Sequence, residues 1–286
     1  MPSLIDIRRR IRSVKNTQQI TKAMKMVSAA KLRRAQDRAI ASRPYANIMN
    51  RVLSNVAGAA AGNEEAADLP LLRVRDEKRI QMIVIGSDRG LAGAFNANLF
   101  RMAQRFIDDH RGAEIKVETI GRKSRDYFRK RGFTITGEHV GIVERPTYER
   151  SSGIADKMID LYSKAEVDAV YIAVNEFKNV MAPTLVTRKI LPVEVPGGGE
   201  QIDYIYEQAP QELLSVLLPR YVEMEIYRAL LESNSAEHAA RMTAMDTASS
   251  NAGDVIQSLT LNMNRVRQAA ITREIIEIVS GAAAGA

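Results

Sequence analysis

The segment from Gly86 to Ala94 reads GSDRGLAGA and is the first place where residue types and spacing could support chemistry. It lies between a predicted strand and a predicted helix, which is where phosphate-binding loops occur. The spacing of Gly86, Gly90 and Gly93 matches neither G-x-G-x-x-G nor G-x-x-x-x-G-K-[ST], and no lysine follows at the required place. The spacing therefore favours a structural turn, whose glycines permit unusual backbone angles, over a nucleotide site.

The remaining residues offer no catalytic set. The chain has no cysteine, which excludes disulfides, thiolate metal sites and cysteine nucleophiles. His110 and His139 have no second ligand-type residue at metal spacing, and His238 lies on a helical seam where a packed histidine is favoured. No nucleophile, base and orienting group can be assembled. The sequence thus predicts no catalytic site, no metal and no cofactor.

Basic residues are concentrated near the N-terminus, in a chain of net charge +7. Against one acidic residue, Asp37, the stretch from Arg8 to Arg43 carries these basic residues: Arg8, Arg9, Arg10, Arg12, Lys15, Lys22, Lys25, Lys31, Arg33, Arg34, Arg38 and Arg43. Like charges three or four residues apart destabilise a helix. We therefore expect an acidic partner surface. A nucleic acid would fit the sign, but the run has no stacking aromatics before Tyr45 and no nucleic-acid motif.

The C-terminal part of the sequence predicts one very long helix. Between Pro219 and Gly281 there is no proline, and the only glycine is Gly253. If the helix begins near Pro210, it holds about 70 residues and spans roughly 105 Å. That is about twice the diameter of a compact globule of this length, so we expect a projecting shaft with a mechanical or scaffolding role, ending at Gly281.

An apolar stripe with alternating steps of four and three residues follows this helix and predicts a coiled-coil seam. It comprises Leu231, Ser235, His238, Met242, Met245, Ser249, Ala252, Ile256, Leu259, Met263, Val266 and Ala270.

The N-terminal part predicts a second long helix. No glycine occurs from Leu4 to Val56, and Pro44 is the one internal proline, where a kink can form. Its apolar stripe slips by one place after Val14 and comprises Leu4, Ile7, Ile11, Val14, Ile20, Met24, Val27, Leu32, Ala35 and Ala39. An antiparallel pairing of the two terminal helices lets each cover the stripe of the other.

Between these helices, strand-like and helix-like runs alternate, which indicates a mostly parallel sheet flanked by helices. Strands are predicted at 80–85, 115–120, 133–136, 169–174 and 185–195, and helices at 94–109, 122–131 and 154–164. The predicted fold class is α/β: a Rossmann-like α/β domain with a mostly parallel sheet, plus a long antiparallel coiled coil of the N- and C-terminal helices. The predicted limits are 1–57 for the first coiled-coil helix, 58–78 for a linker, 79–208 for the α/β domain and 209–286 for the second helix. A second linker is predicted at the glycine-rich residues 196–199.

No segment approaches the ~20 apolar residues of a membrane span, and no signal-peptide pattern is present. We therefore expect a soluble protein made in the cytoplasm.

Three stretches resemble the gamma subunit of bacterial-type F-type ATP synthases. Residues 15–27 (KNTQQITKAMKMV) are similar to its N-terminal helix, and residues 87–96 resemble its glycine-rich motif. Residues 271–282 (ITREIIEIVSGA) are similar to its C-terminal signature, and residues 237–242 and 267–269 extend the match. The terminal signatures are the most specific, and the resemblance covers both helices and the domain between them.

The resemblance implies a central rotor shaft that is not itself catalytic, since catalysis resides on beta. The coiled coil would turn inside a ring of alternating alpha and beta subunits. The α/β domain would contact the epsilon subunit and the membrane c-ring. Rotation would couple ion flow to ATP synthesis or hydrolysis, on the cytoplasmic face of the bacterial plasma membrane. The chain would contact the membrane only through the c-ring, and it would bind no nucleic acid. The alternative from the residues alone is a basic coiled-coil scaffold or a nucleic-acid-binding arm.

The resemblance also implies which side chains contact partners. Arg267 and Gln268 match positions that hydrogen-bond a loop of beta. Met24 and Arg241 match a pair on adjacent helices that faces an acidic loop of beta, and Arg89 matches a basic residue near that loop. Lys25 belongs to the basic face expected to seek the same acidic loops. The alternative for Met24 is ordinary packing in the seam. The alternative for Arg89, Arg241 and Arg267 is that they are ordinary solvated arginines.

Overall fold

The computed structural model describes residues 3–60, 68–177, 184–194 and 208–284, with the backbone alone at 277 and 281–284. By contacts the chain divides into two compact units, Met1–Ser28 with Arg241–Ala286 and Ala29–Ala240. Each unit takes part of both terminal helices, α1 (Leu4–Ala59) and α5 (Pro210–Ala284). The predicted limits at 57, 78 and 208 separate helical from α/β segments, whereas the two units are defined by spatial contacts. The predicted limits therefore stay a prediction. The predicted linker at 196–199 lies outside the described residues.

The larger unit contains a five-stranded sheet. Its strands are β1 (Arg79–Ile85), β2 (Glu114–Ile120), β3 (Ile135–His139), β4 (Ala169–Glu176) and β5 (Thr184–Leu191). Their order is β3-β2-β1-β4-β5. The β3-β2, β2-β1 and β1-β4 pairs are parallel, and the β4-β5 pair is antiparallel. The predicted α/β class with a mostly parallel sheet is confirmed.

Helices cover both faces of this sheet because the buried strands are apolar on both sides. Met82 and Val84 of β1 pack against α2 (Phe95–Asp109) and α3 (Arg122–Lys130). Ile83 and Ile85 of the same strand pack in a core with α4 (Tyr148–Ser163) and with parts of α1 and α5. Successive side chains of β1 point to opposite faces of the sheet, and this alternation determines which helices pack on each face.

Three predicted elements have limits that differ from the structure by two to six residues. Strand β3 begins at Ile135 instead of 133 and continues to His139, and α4 begins at Tyr148 instead of 154, passing through Gly153. Helix α5 does not end at Gly281 but continues to Ala284. A glycine costs a helix only about 1 kcal/mol relative to alanine, and Gly281 is followed by three alanines. Strand β5 ends before Pro192, and its predicted end at 195 lies outside the described residues.

The seam predicted for α5 is confirmed, since each of its twelve residues is buried or half-buried. On α1 the predicted seam is wrong at two residues, and it is correct at the others, which are buried or half-buried: Leu4, Ile7, Ile11, Val14, Met24, Leu32, Ala35 and Ala39. Ile20 and Val27 are 60% and 56% exposed. The seam does not slip there but continues through polar residues, because their hydroxyl and amide groups find partners on α5.

Candidate partner-contact site

The glycine-rich turn after β1 uses its polar groups internally. Ser87 is fully buried; its backbone N–H donates to Asn96 Oδ1 at 3.0 Å, and its Oγ donates to the carbonyl of Arg89 at 2.6 Å. Asn96 Nδ2 donates to Ser87 Oγ at 2.7 Å. These bonds close the turn onto the first residues of α2.

Asp88 fixes the same turn to two neighbouring segments. Its Oδ1 accepts the backbone N–H of Arg122, at the start of α3, and the N–H of Gly141, each at 3.1 Å. Gly121 has φ +90, and a Cβ there would lie 2.2 Å from the carbonyl oxygen of Gly86. The glycine and the aspartate therefore serve close backbone approach, as expected of a structural turn.

The Arg89 side chain points out of this turn into solvent. Its side chain is 75% exposed, and its Nη2 lies 3.6 Å from Glu144 Oε2. Glu144 Oε1 also accepts a 3.0 Å bond from Lys31 Nζ of α1. The bond from Lys31 lowers the pKa of Glu144, and the charges of Lys31, Arg89 and Arg145 act in the same direction.

In the smaller unit, α1 and α5 are antiparallel and are joined by polar contacts. Gln18 Nε2 donates to the carbonyl of Ser249 at 3.1 Å, and the hydroxyls of Thr21 and Ser249 lie 2.6 Å apart in a buried pair. Lys25 Nζ lies 2.6 Å from Asp246 Oδ1. Together with buried Ser28, these α1 residues form what we call the polar seam: Gln18, Thr21, Lys25 and Ser28.

The predicted contact residues of this unit occupy different environments. Met24 and Arg241 are half-buried, and Lys25 has an internal partner in Asp246. Arg267 and Gln268 are exposed on α5, and the Gln268 carbonyl accepts a 3.0 Å bond from Thr272 Oγ1. They lie about 30 Å along the helix from Asp246. The structure thus does not bring Arg267 and Gln268 to the Lys25 contact.

The last described turns of α5 expose apolar side chains. Exposed fractions are 49% for Ile271, 55% for Ile275, 58% for Ile276, 71% for Ile278 and 62% for Val279. These five residues, which we call the apolar tip, form one broad face of the helix: Ile271, Ile275, Ile278 and Val279 follow the spacing i, i+4, i+7 and i+8, and Ile276 widens that face. Sequence analysis missed this exposure. The signal was available in the spacing of Ile271, Ile275, Ile278 and Val279, which marks one apolar helix face beyond Ala270, the last residue of the predicted seam.

Glu118 of β2 is a buried carboxylate, 0% exposed, that the sequence pattern did not predict. Its oxygens are bonded by His139 Nε2 at 2.7 Å, by Lys157 Nζ at 2.7 and 3.0 Å, and by Thr136 Oγ1 at 2.6 Å. Burial alone raises the pKa of Glu118, but the bonds from His139, Lys157 and Thr136 outweigh it and lower the pKa from 4.5 to about 2. This network connects β2, β3 and α4.

The three histidines lie in different environments. His139 is bonded to Glu118, His110 stacks on Phe106 with ring centroids 4.1 Å apart, and His238 is buried on the α5 seam. Within the described ranges no three or more His, Asp or Glu residues form a group that could hold a metal ion. None of the helices in those ranges is long and apolar enough to cross a membrane.

Comparison with known proteins gives consistent matches over the whole chain. The family model described as ATP synthase matches residues 3–284. The ATP synthase gamma chain of Solibacter usitatus (strain Ellin6076) is 60% identical over 284 residues, covering 99% of each chain. That of Anaeromyxobacter sp. (strain Fw109-5) is 50% identical over 289 residues, again covering 99% of each.

A chain in the cryo-EM structure of the Euglena gracilis mitochondrial ATP synthase rotor has a TM-score of 0.66. It is 18% identical and covers 94% of this chain and 98% of its own length. At this identity the likeness shows the fold. The family model and the bacterial relatives go further, and the chain belongs to the ATP synthase gamma chain family.

Proposed function

We propose that this chain is the central rotor shaft of an F-type ATP synthase. It turns inside the alpha–beta ring and couples ion flow through the membrane c-ring to ATP synthesis or hydrolysis on the beta subunits. Beyond family membership, the observation that carries the proposal is the apolar tip. Large exposed apolar surfaces mark interaction sites in proteins, and a helix end with a broad exposed apolar face can pack against the inner wall of an enclosing ring of subunits.

The placement of the polar side chains supports the proposed partner contacts. Arg267 and Gln268 lie on α5 a few residues before the apolar tip, with exposed groups that can bond a surrounding loop of beta. Met24, Lys25 and Arg241 belong to the same compact unit, and they face an acidic loop of beta. Arg89, in the larger unit, is proposed to contact an acidic loop of beta from the glycine-rich turn.

The α/β domain is the proposed contact for the epsilon subunit and the c-ring. The protein is therefore peripheral, on the cytoplasmic face of the bacterial plasma membrane, and reaches the membrane only through the c-ring.

The test is to mix the full chain with purified alpha and beta subunits. We expect a stable complex that contains one copy of this chain and hydrolyses ATP. A chain that stays separate from alpha and beta, and instead binds duplex DNA with a steep dependence on salt, would contradict the proposal and favour a nucleic-acid-binding arm.

The chain is proposed to be non-catalytic, and we predict that alone it neither hydrolyses ATP nor binds Mg-ATP specifically. The polar groups of Ser87 and Asp88 are occupied by internal bonds, and the spacing of the glycines does not form a phosphate loop. Isothermal calorimetry on the lone chain measures this. Micromolar Mg-ATP binding that is lost in Gly90→Ala would refute the prediction, since a methyl group at Gly90 meets no described atom within 4 Å and should leave the turn folded.

A further prediction concerns the basic face of α1. Reversing exposed Arg33 to glutamate should slow assembly more at low than at high salt, because screening already removes part of the attraction to acidic loops. Reversing Lys25 as well adds a different effect, because the new carboxylate would face Asp246 inside the smaller unit.

The salt dependence of the assembly rate therefore has to be measured for Arg33→Glu and Lys25→Glu separately. Equal defects of Arg33→Glu at both salt concentrations would indicate that packing, and not charge, causes the loss.

A further inference from the structure

Glu144 is shared by cations from different parts of the larger unit. Its Oε1 is bonded by Lys31 Nζ of α1 at 3.0 Å, and its Oε2 lies 3.6 Å from Arg89 Nη2 of the glycine-rich turn. The adjacent Arg145 is exposed and also favours the ionised form of Glu144. We call these four residues the Glu144 cluster: Lys31, Arg89, Glu144 and Arg145. With Glu144 ionised its formal charge is +2.

The backbone that carries Glu144 is held firmly. The preceding Val143 is fully buried, and its carbonyl accepts a bond from Asn234 Nδ2 of α5. Gly141 donates its N–H to Asp88. The carboxylate therefore sits beside Lys31 and Arg89 because the fold places it there.

The ion pairs themselves are weak and open to exchange. The exposed side-chain fractions are 42% for Lys31, 75% for Arg89 and 38% for Glu144. Solvent screens such pairs, so each contributes little to stability. A second carboxylate brought by a partner can reach the same ammonium and guanidinium groups and replace Glu144 at little cost.

We propose that Glu144 is an internal competitor that occupies Lys31 and Arg89 until an acidic loop of the beta subunit displaces it. The inference rests on the proposed function and adds a regulation of the contact at Arg89. Rim charges of this kind change the rate of association and its dependence on salt more than final affinity. Glu144 therefore slows docking and lowers the salt dependence of the docking rate.

The experiment compares the full chain with Glu144→Gln, which removes the charge and keeps the shape. Glu166→Gln is the matched control, because Glu166 is exposed in the turn after α4 and its loss changes the net charge equally. Association with a purified alpha–beta subcomplex is followed by stopped-flow fluorescence at about 20 mM and about 200 mM salt. We expect Glu144→Gln to raise the association rate constant by about three- to tenfold at low salt. The gain should shrink at high salt, and Glu166→Gln should change the rate constant by less than about 1.5-fold.

A rate constant for Glu144→Gln that equals that of Glu166→Gln, or falls below that of the unmodified chain, would overturn the inference. Failure of the unmodified chain to bind the subcomplex would overturn the proposed function, and this inference with it. Arg89→Gln provides a second check: it should slow association at low salt, and an unchanged rate constant would also contradict the competition.

Discussion

Replacing Arg267 and Gln268 together by leucine is expected to lower ATP turnover of the reconstituted complex by at least about tenfold, while the complex still assembles. A tenfold loss corresponds to about 1.4 kcal/mol of barrier height, and a hydrogen bond to a charged group supplies about 1.5–3 kcal/mol. Leucine keeps much of the bulk of these two side chains and is compatible with an apolar surrounding sleeve. It removes the directed bonds by which a surrounding ring can favour one rotational state over another.

The measurements are steady-state turnover and single-molecule rotation. A matched control replaces Gln257 and Arg265, which are also exposed on α5, by leucine and should leave turnover nearly unchanged. Deleting 281–286 should likewise leave assembly and rotation largely intact, since these residues are glycine and alanine and can bury little surface. Normal turnover in the Arg267/Gln268 variant would refute the role of these two residues.

Glu118→Gln is expected to lower the free energy of unfolding by about 3 kcal/mol at pH 7. The folded-state pKa of Glu118 is lowered from 4.5 to about 2, and each pKa unit corresponds to about 1.4 kcal/mol. The substitution removes the charge that Lys157 and His139 bond, and it leaves an amide N–H₂ facing those donors. Lys157 and His139 are partly exposed and can turn toward water, which keeps the loss from being larger.

The pH dependence of this loss has a definite sign. Because the folded-state pKa is lowered, the contribution of Glu118 is fully present above about pH 4.5 and is lost as the pH falls toward 2. The stability difference between the unmodified chain and Glu118→Gln, measured by urea unfolding, should therefore narrow below pH 4.5.

Glu138→Gln is the control, because its partner Arg129 is 61% exposed and such surface pairs contribute less than about 1 kcal/mol. A difference for Glu118→Gln that stays constant from neutral to acidic pH would show that packing, and not ionisation, is the cause.

Sequence periodicity was sufficient for most of the fold. The strand at 80–85 and the helices at 94–109 and 122–131 agree with β1, α2 and α3 within one residue at each end. These elements are predictable because each has a strong local pattern and a glycine close to at least one of its ends. Strand β3 was shifted because its residues Ile135–His139 include Gly137 and charged Glu138, which do not resemble a strand.

The polar seam was not predictable from one helix. The rule of following apolar residues selected Ile20 and Val27, which are exposed, over Gln18 and Thr21, which face α5. A polar residue belongs on a seam only if its partner completes the hydrogen bond, and that partner, Ser249, lies 228 residues from Thr21.

The same limit applies to the charged groups. Glu118 alternates with apolar residues in β2 as a solvent-facing glutamate would, yet it is buried because Lys157 and His139 arrive from α4 and β3. Glu144 carries no local signal that it joins Lys31 and Arg89. The roles of Arg267, Gln268, Met24, Arg241, Arg89 and Lys25 toward partner subunits stay predictions.

The hydroxyl pair of Thr21 and Ser249 determines which residues of the two helices can be opposite each other. A slide of α5 by one heptad would bring Met242 or Ile256 to Thr21 in place of Ser249. A hydrocarbon cannot replace the Ser249 hydroxyl, and a thioether is only a weak acceptor. Thr21 keeps its 3.0 Å bond to the Gln18 carbonyl, but the buried Ser249 hydroxyl loses its Thr21 partner, and such a loss costs about 1–3 kcal/mol. An all-apolar seam would bury more hydrocarbon yet tolerate that slide. The antiparallel pair therefore buries less apolar surface but has a single axial alignment. It resists sliding along the helix axis more than its modest apolar contact would suggest.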